Sequence, residues 1–123
     1  MRYQFKSEPG YLCMEVFDRN SEQDMRASYD AILAESEKMS QMRLLMVCDD
    51  TRPVPVTGLF DIVSRLTRAN FGKRKLAVVY KDPVTFKAHQ FGEIVATNRG
   101  LNIHLFLDRD RAIAWLLGAA FAR

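Results

Sequence analysis

The sequence predicts an α/β fold: a single five-stranded, mixed and mostly parallel sheet with four helices, in the order ββαβαβαβα. Two continuous apolar runs, residues 44–48 and 76–80, are typical of strands covered by helices on both faces. Helical periodicity separates these runs, which implies right-handed crossovers between parallel strands. A Pro9-Gly10 turn between two strand patterns adds an antiparallel hairpin at the start. Because the chain has 123 residues and no linker or repeat, we expect residues 1–123 to form one domain.

The first helix has both a start signal and a buried face. It follows two strand patterns, one in which Tyr3 and Phe5 alternate with polar residues and one over residues 11–17. Ser21 followed by Asp24 resembles a capping box. A helix over roughly residues 21–40 is predicted, because apolar or small residues recur on one side: Met25, Tyr29, Ile32 and Ser36, flanked by Ser28 and Leu33.

The second helix follows the run at residues 44–48. Thr57 is predicted as its N-cap, Phe71 as its end, and Gly72 as a left-handed stop. Its predicted inner stripe consists of Leu59, Ile62, Val63, Leu66 and Asn70, while Asp61, Arg65 and Arg68 point outward.

The third and fourth helices each begin at an aspartate. Asp82 is predicted as an N-cap with Pro83 in the first helical position, and the third helix is predicted to end at residues 98–100. Its predicted buried residues are Val84, Ala88, Phe91 and Val95. The last strand covers residues 102–107, and Asp108 caps a helix whose inner side carries Ala112, Trp115 and Leu116.

The composition argues against nucleic acid as a partner. The net charge of +3 comes from 18 basic and 15 acidic residues, without the clustered basic and aromatic residues typical of nucleic-acid binding. No apolar stretch approaches the ~18 residues that span a bilayer, and residues 1–8 lack a signal-peptide core. We therefore expect a cytoplasmic chain. Cys13 and Cys48 lie in apolar runs and are expected to be buried free thiols.

The segment from Asp49 to Leu59 is the main candidate site. It follows a buried strand, and ligands of α/β sheets collect outside the carboxyl ends of strands. Asp49 and Asp50 could hold Mg²⁺ or act as acid and base, but loop hydrogen bonding is the favoured interpretation because no third ligand stands at motif spacing. No catalytic or metal motif is recognisable, so no cofactor and no metal are expected.

Other reactive or charged side chains have structural interpretations. Burial and neighbouring carboxylates make Cys48 a poor nucleophile, and His89 and His104 belong to no catalytic spacing. Five cations near the end of the second helix suit the helix dipole, with an acidic partner or lipid headgroup as the alternative: Arg65, Arg68, Lys73, Arg74 and Lys75.

The chain resembles the SpoIIAA-like family of STAS-type domains over nearly its whole length. The resemblance is carried by the element order and by an ending in which a strand closes on a Phe, an acidic cap follows, and an Ala-x-x-Trp-Leu helix packs back. Here these residues are Phe106, Asp108, Ala112, Trp115 and Leu116. In STAS domains that act as anti-sigma-factor antagonists, the helix after the third strand opens with Asp-Ser-Ser-Gly-Leu, and the first Ser is phosphorylated. The corresponding segment here is Pro55-Val56-Thr57-Gly58-Leu59, so Val56 takes the place of the phosphoacceptor.

The resemblance implies a non-enzymatic, bacterial-type regulatory or protein-binding domain. The partner-binding residues would lie around the loop and the second helix: Asp50, Arg52, Val56, Thr57 and Phe60. We expect Thr57 to act as a cap rather than as a phosphorylation site. The alternative is a carrier or sensor of a lipid or other apolar small molecule, because such domains are likened to the CRAL-TRIO lipid carriers. A hydrolase or phosphatase using Asp49 or Asp50 is a third and weaker hypothesis.

A homodimer is also predicted. Phe86 is placed on the outer side of the third helix and Ile94 at the edge of its buried stripe. Two apolar side chains outside the core stripe could form an interface.

Overall fold

The computed structural model describes residues 1–118 and contains the predicted five strands and four helices in the predicted order. The strands are β1 (Arg2–Glu8), β2 (Tyr11–Phe17), β3 (Arg43–Cys48), β4 (Lys75–Tyr80) and β5 (Asn102–Phe106). The helices are α1 (Glu22–Met39), α2 (Val56–Arg68), α3 (Pro83–Asn98) and α4 (Arg109–Leu116). None of these described helices combines the length and the apolar composition that crossing a membrane requires.

The sheet is ordered β1-β2-β3-β4-β5, with β1 antiparallel to β2 and every other pair parallel. Because the parallel strands follow one another in space, right-handed crossovers place α1, α2 and α3 on the same face. The larger core cluster lies there and includes Met25, Ile62 and Val95. α4 covers the opposite face, where a smaller cluster contains Ala112 and Leu116. All carboxyl ends of the parallel strands therefore meet at one edge.

The first elements confirm the sequence predictions. Gly10 takes a φ of 90° in the turn that pairs Glu8 with Tyr11. Ser21 caps α1 by accepting a hydrogen bond from the Asp24 amide at 3.0 Å, and Asp24 in turn accepts one from the Asn20 amide. β3 and β4 are buried on both faces, as their apolar runs predict.

The bounds of α2 differ from the prediction at both ends. Thr57 is not the N-cap: Pro55 occupies that position, and its carbonyl accepts the first helical bond from Leu59. The fixed φ of proline suits this entry to a helix and moves the start upstream. The helix ends before Asn70, whose φ of 55° is left-handed, and Phe71 then turns into the core. A left-handed residue therefore follows the helix two positions before Gly72, which is itself left-handed, as predicted, with a φ of 65°.

The buried face of α3 is also different from the prediction. Val95 is buried, but Val84 is 69% exposed, Phe91 is 38% exposed and Ala88 is exposed. The inward residues are instead Thr85, His89 and Ala96. Thr85 and His89 point inward because each has a hydrogen-bond partner there, Asp82 for Thr85 and both Tyr80 and Val54 for His89. Apolar periodicity alone selects the wrong face of this helix.

α4 docks as predicted through Ala112 and Leu116, with Asp108 as its N-cap. Trp115 is only partly buried and packs against this second cluster. Its ring meets His104 edge-on at 4.8 Å, and the ammonium of Lys75 lies 4.5 Å from the ring centre. Lys75 also donates a hydrogen bond to the Trp115 carbonyl, which ties α4 to β4.

Candidate functional site

The carboxyl edge of the sheet contains a buried ion pair between Arg19 and Asp50. Arg19 follows β2, and Asp50 follows the neighbouring strand β3. One guanidinium nitrogen of Arg19, Nη2, lies 3.3 and 3.2 Å from the two carboxylate oxygens of Asp50. The two side chains are 1% and 2% exposed. Burying two charges is costly, so this pair depends on the hydrogen bonds around it.

Arg19 is the centre of a wider polar network. Its Nη1 donates to Ser28 Oγ at 3.1 Å, and its Nη2 also approaches the Tyr80 hydroxyl at 3.5 Å. Its Nε is buried and has no hydrogen-bond partner among residues 1–118. Arg19 was missed by the sequence interpretation. One signal in the sequence was that Arg19 and Asp50, which carry opposite charges, each follow a predicted strand by a few residues. The two strands are adjacent and parallel, and Val16 is paired with Cys48, so the two side chains leave the sheet side by side.

His89 connects this network to the loop between β3 and α2. Its Nε2 accepts a hydrogen bond from the Val54 amide at 2.9 Å, and its Nδ1 lies 2.8 Å from the Tyr80 hydroxyl. Because Nε2 must accept, the neutral ring carries its proton on Nδ1 and donates it to Tyr80. Burial lowers the pKa of His89 to about 4. The ring is therefore neutral at physiological pH and holds Val54 in place.

Asp49 and Cys48 have the structural roles that the sequence favours. Asp49 Oδ1 accepts a hydrogen bond from the Asp18 amide, so this carboxylate links the segment after β3 to the segment after β2. Burial raises the pKa of Cys48 to about 12, which leaves its thiol protonated. Within residues 1–118, no group of three His, Cys, Asp or Glu side chains is arranged to hold a metal ion.

Gly58, in the first turn of α2, is in close contact with two other residues of the protein, Glu22 and Val54. A Cβ at this position would collide with Glu22 Oε1 and with Val54 Cγ1. Gly58 thus allows the Glu22 carboxylate and the β3–α2 loop to lie against the first turn of α2. A carboxylate of the protein itself therefore lies at the N-terminal end of α2, the end that attracts negative charge.

A cavity of about 120 Å³ lies beside the ion pair. Its walls carry both signs of charge, with Arg19 and Arg52 as cations and Glu22 and Asp50 as carboxylates. Glu22 is itself paired with Arg26. With the charges of the walls largely balanced, this cavity favours no ligand of either charge.

The five predicted partner-binding residues separate into two groups. Asp50 is 4% exposed and belongs to the buried ion pair, so it is not available at the surface. Arg52 and Thr57 are exposed. Val56 is 53% exposed and Phe60 is 40% exposed. The structure therefore leaves an apolar surface at the start of α2 rather than an acidic crevice.

This apolar surface extends onto α3. The rings of Phe60 and Phe91 lie 5.7 Å apart, which joins the two helices. Val84 and Ala88 continue the surface along α3 and line a shallow depression of about 450 Å³. We call the set Val56, Phe60, Val84, Ala88 and Phe91 the α2–α3 apolar surface. Large contiguous apolar patches mark interaction sites on many proteins, whereas single exposed apolar residues are ordinary.

The proposed dimer residues do not lie together in one exposed patch. Phe86 was predicted on the outer side of α3, but it is partly buried and packs against the main core. This placement was wrong for the same reason as the predicted face of α3. Ile94 is 57% exposed and borders a different depression with His104.

Three of the five cations near the end of α2 have partners within the protein. Arg65 forms an ion pair with Asp30 at 2.7 Å. Arg74 donates to Ser36 Oγ and to the Phe71 carbonyl, and Lys75 is held by Trp115. These contacts favour the structural interpretation of this cluster over an acidic partner.

A scan against protein-family models finds no match, and searches of curated proteins and of solved structures find none either. The function of the chain is therefore inferred from the contacts and exposure of residues 1–118.

The Arg19–Asp50 pair predicts a large effect of removing one partner. Asp50→Ala should lower the free energy of unfolding by ~3 to 5 kcal/mol, because it leaves the Arg19 charge buried and unpaired. The double variant Arg19→Met, Asp50→Ala should recover part of this loss. Urea unfolding of the three proteins measures both effects, and a loss below ~1 kcal/mol in Asp50→Ala would contradict a buried pair.

His89 predicts a loss of stability in acid. Its folded pKa of about 4 lies below an unfolded value of about 6.5, so the folded state binds fewer protons between these values. The stabilisation is complete above pH ~6.5 and is lost as the pH falls towards 4, by ~3 kcal/mol. In His89→Gln, which keeps an acceptor for Val54 and does not titrate, the free energy of unfolding should depend less on pH in this range. Equal pH profiles for the two proteins would show that His89 titrates normally.

Proposed function

We propose that this chain is a non-enzymatic protein–protein interaction domain that binds its partner through the α2–α3 apolar surface. The observation that carries the proposal is the exposure of five apolar side chains on two adjacent helices, including the Phe60–Phe91 pair. Aromatic residues are enriched at protein interfaces and dominate their energetics. Thr57, next to Val56, is also exposed at the start of α2, whereas Arg52 lies in the loop before α2 and lines the cavity beside the ion pair.

The state of the reactive side chains supports a binding role over catalysis. Asp50 forms an ion pair with Arg19, both ring nitrogens of His89 form hydrogen bonds, and the Cys48 thiol stays protonated because burial raises its pKa. A hydrolase using Asp49 or Asp50 would need a carboxylate that reaches substrate, whereas both side chains make contacts within the protein.

The proposed role is regulatory, as in the anti-sigma-factor antagonists that the sequence resembles. The order of elements agrees with that resemblance, and the partner surface would lie at the start of the helix after the third strand, as it does there. A phosphorylation switch at the family position is not part of the proposal, since Val56 cannot accept a phosphate. We place this function in the cytoplasm of a bacterial cell.

The alternative, a carrier of a lipid or apolar small molecule, has less support. The cavity in the main core, lined by residues such as Leu59, Ile62 and Ile103, has a volume of about 30 Å³. Ligand pockets typically measure about 300 to 1,000 Å³. A carrier function would require the core around α2 and α3 to open.

Photo-cross-linking tests the proposed interface. A photoreactive amino acid in place of Val84 should give a discrete cross-linked partner in a lysate of the source organism, because this side chain is 69% exposed at the surface. Adding Phe60→Glu should remove the product, since a charge would be placed in the apolar contact. Ile94→Glu is the matched control on another side of α3 and should leave the product unchanged.

Circular dichroism should show all three variants to be folded. Absence of any product, or a product of equal yield in the Phe60→Glu protein, would contradict binding through this surface.

A further inference from the structure

The exposed face of α3 has the spacing of a helix-binding surface. Val84, Ala88 and Phe91 stand at positions i, i+4 and i+7, which places them along about 10 Å of one helix face. Val56 and Phe60 form a parallel row one turn apart on α2. An amphipathic helix places its own apolar residues at the same intervals.

The charges around this surface are mostly positive. Lys87 lines the same depression as Val84 and Ala88. The guanidinium carbon of Arg99 lies 5.4 Å from the ring centre of Phe60, and its Nη1 donates to Ser64. Within residues 1–118, no carboxylate lies within ion-pair distance of Lys87 or Arg99. Asp61, next to Phe60, is an exposed acid on this side of α2.

This charge distribution weighs against a second copy of the chain as the occupant. A two-fold dimer would bring the same patch together from both chains and place Lys87 and Arg99 opposite a second set of cations. Like charges brought together at an interface cost several kcal/mol.

The shape of the surface weighs against a membrane. Phe60 and Phe91 are each more than half covered and pack against one another. Interfacial helices insert an apolar face about 5 to 10 Å into the bilayer, which requires protruding side chains. Here the two aromatic rings, the largest apolar side chains of this surface, are mostly covered.

We infer, on the basis of the proposed function, that the partner presents an acidic amphipathic helix. Its apolar side chains would lie over Phe60, Phe91 and Val84, and its flanking carboxylates would face Lys87 and Arg99. The apolar contact supplies affinity, and the cations select the charge and orientation of the helix.

Two synthetic helical peptides test this inference. Both carry Leu at i, i+4 and i+7; one has Glu at the flanking positions and the other has Lys. Titration of the ¹⁵N-labelled chain should show binding of the Glu peptide about tenfold tighter at low salt, with amide shifts confined to α2 and α3, and a smaller difference at high salt. Lys87→Glu combined with Arg99→Glu should reverse the order of the two peptides. Phe60→Glu should abolish binding of both.

Three results would overturn the inference. Equal affinities would show that the cations do not select the partner, while the apolar surface would remain a binding site. Binding of anionic phospholipid vesicles without binding of either peptide would assign the surface to a membrane. A dimer in sedimentation that Phe60→Glu dissociates would assign it to a second copy. Failure of the proposed function itself would appear separately, as the absence of a cross-linked partner at Val84.

Discussion

The buried pair of Arg19 and Asp50 is the interaction on which the rest of this edge of the sheet depends. Two charges that are almost fully removed from water are stable only where their geometry and their neighbours offset the loss of hydration. Ser28 from α1 and Tyr80 from β4 supply such neighbours. The pair therefore joins the ends of β2 and β3 to the first helix and the next strand.

The network limits the space that is open in the crevice beyond the strand ends. In open α/β sheets the crevice beyond the strand ends usually receives a ligand, but here the side chains of the protein fill much of it. Asp50 is neutralised by Arg19, Glu22 lies against Gly58, and His89 holds Val54. With the loop between β3 and α2 fixed in this way, α2 begins at a defined place beside α3. The accessible features are then the outer faces of these two helices.

Local signals explain how much of the fold was predictable from the sequence. The hairpin, the buried strands and the caps at Ser21, Asp82 and Asp108 depend on residues close together in the chain. The predicted face of α3 was wrong because two inward residues, Thr85 and His89, are polar: Thr85 bonds the N-cap Asp82, and His89 bonds Tyr80 and Val54 outside the helix. Apolar residues at 84, 88 and 91 have the same periodicity whether they face a core or a partner. Val56 and Phe60, predicted as partner-binding residues, are exposed. Arg19 was missed because its partner Asp50 is 31 residues away, and only the adjacency of β2 and β3 brings the two charges together.

Hydrogen exchange of the Val54 amide tests most directly whether the ion-pair network fixes the loop. This amide is bonded to His89, which depends on Tyr80 and, through it, on Arg19. In the wild-type protein its exchange should be slower than in an unstructured peptide by about a hundredfold or more, and Asp50→Asn should remove this protection. The Lys81 amide, bonded to the Cys48 carbonyl, is the internal control and should stay protected in both proteins. A Val54 amide that exchanges at the peptide rate in the wild type, or that stays equally protected in Asp50→Asn, would contradict the account.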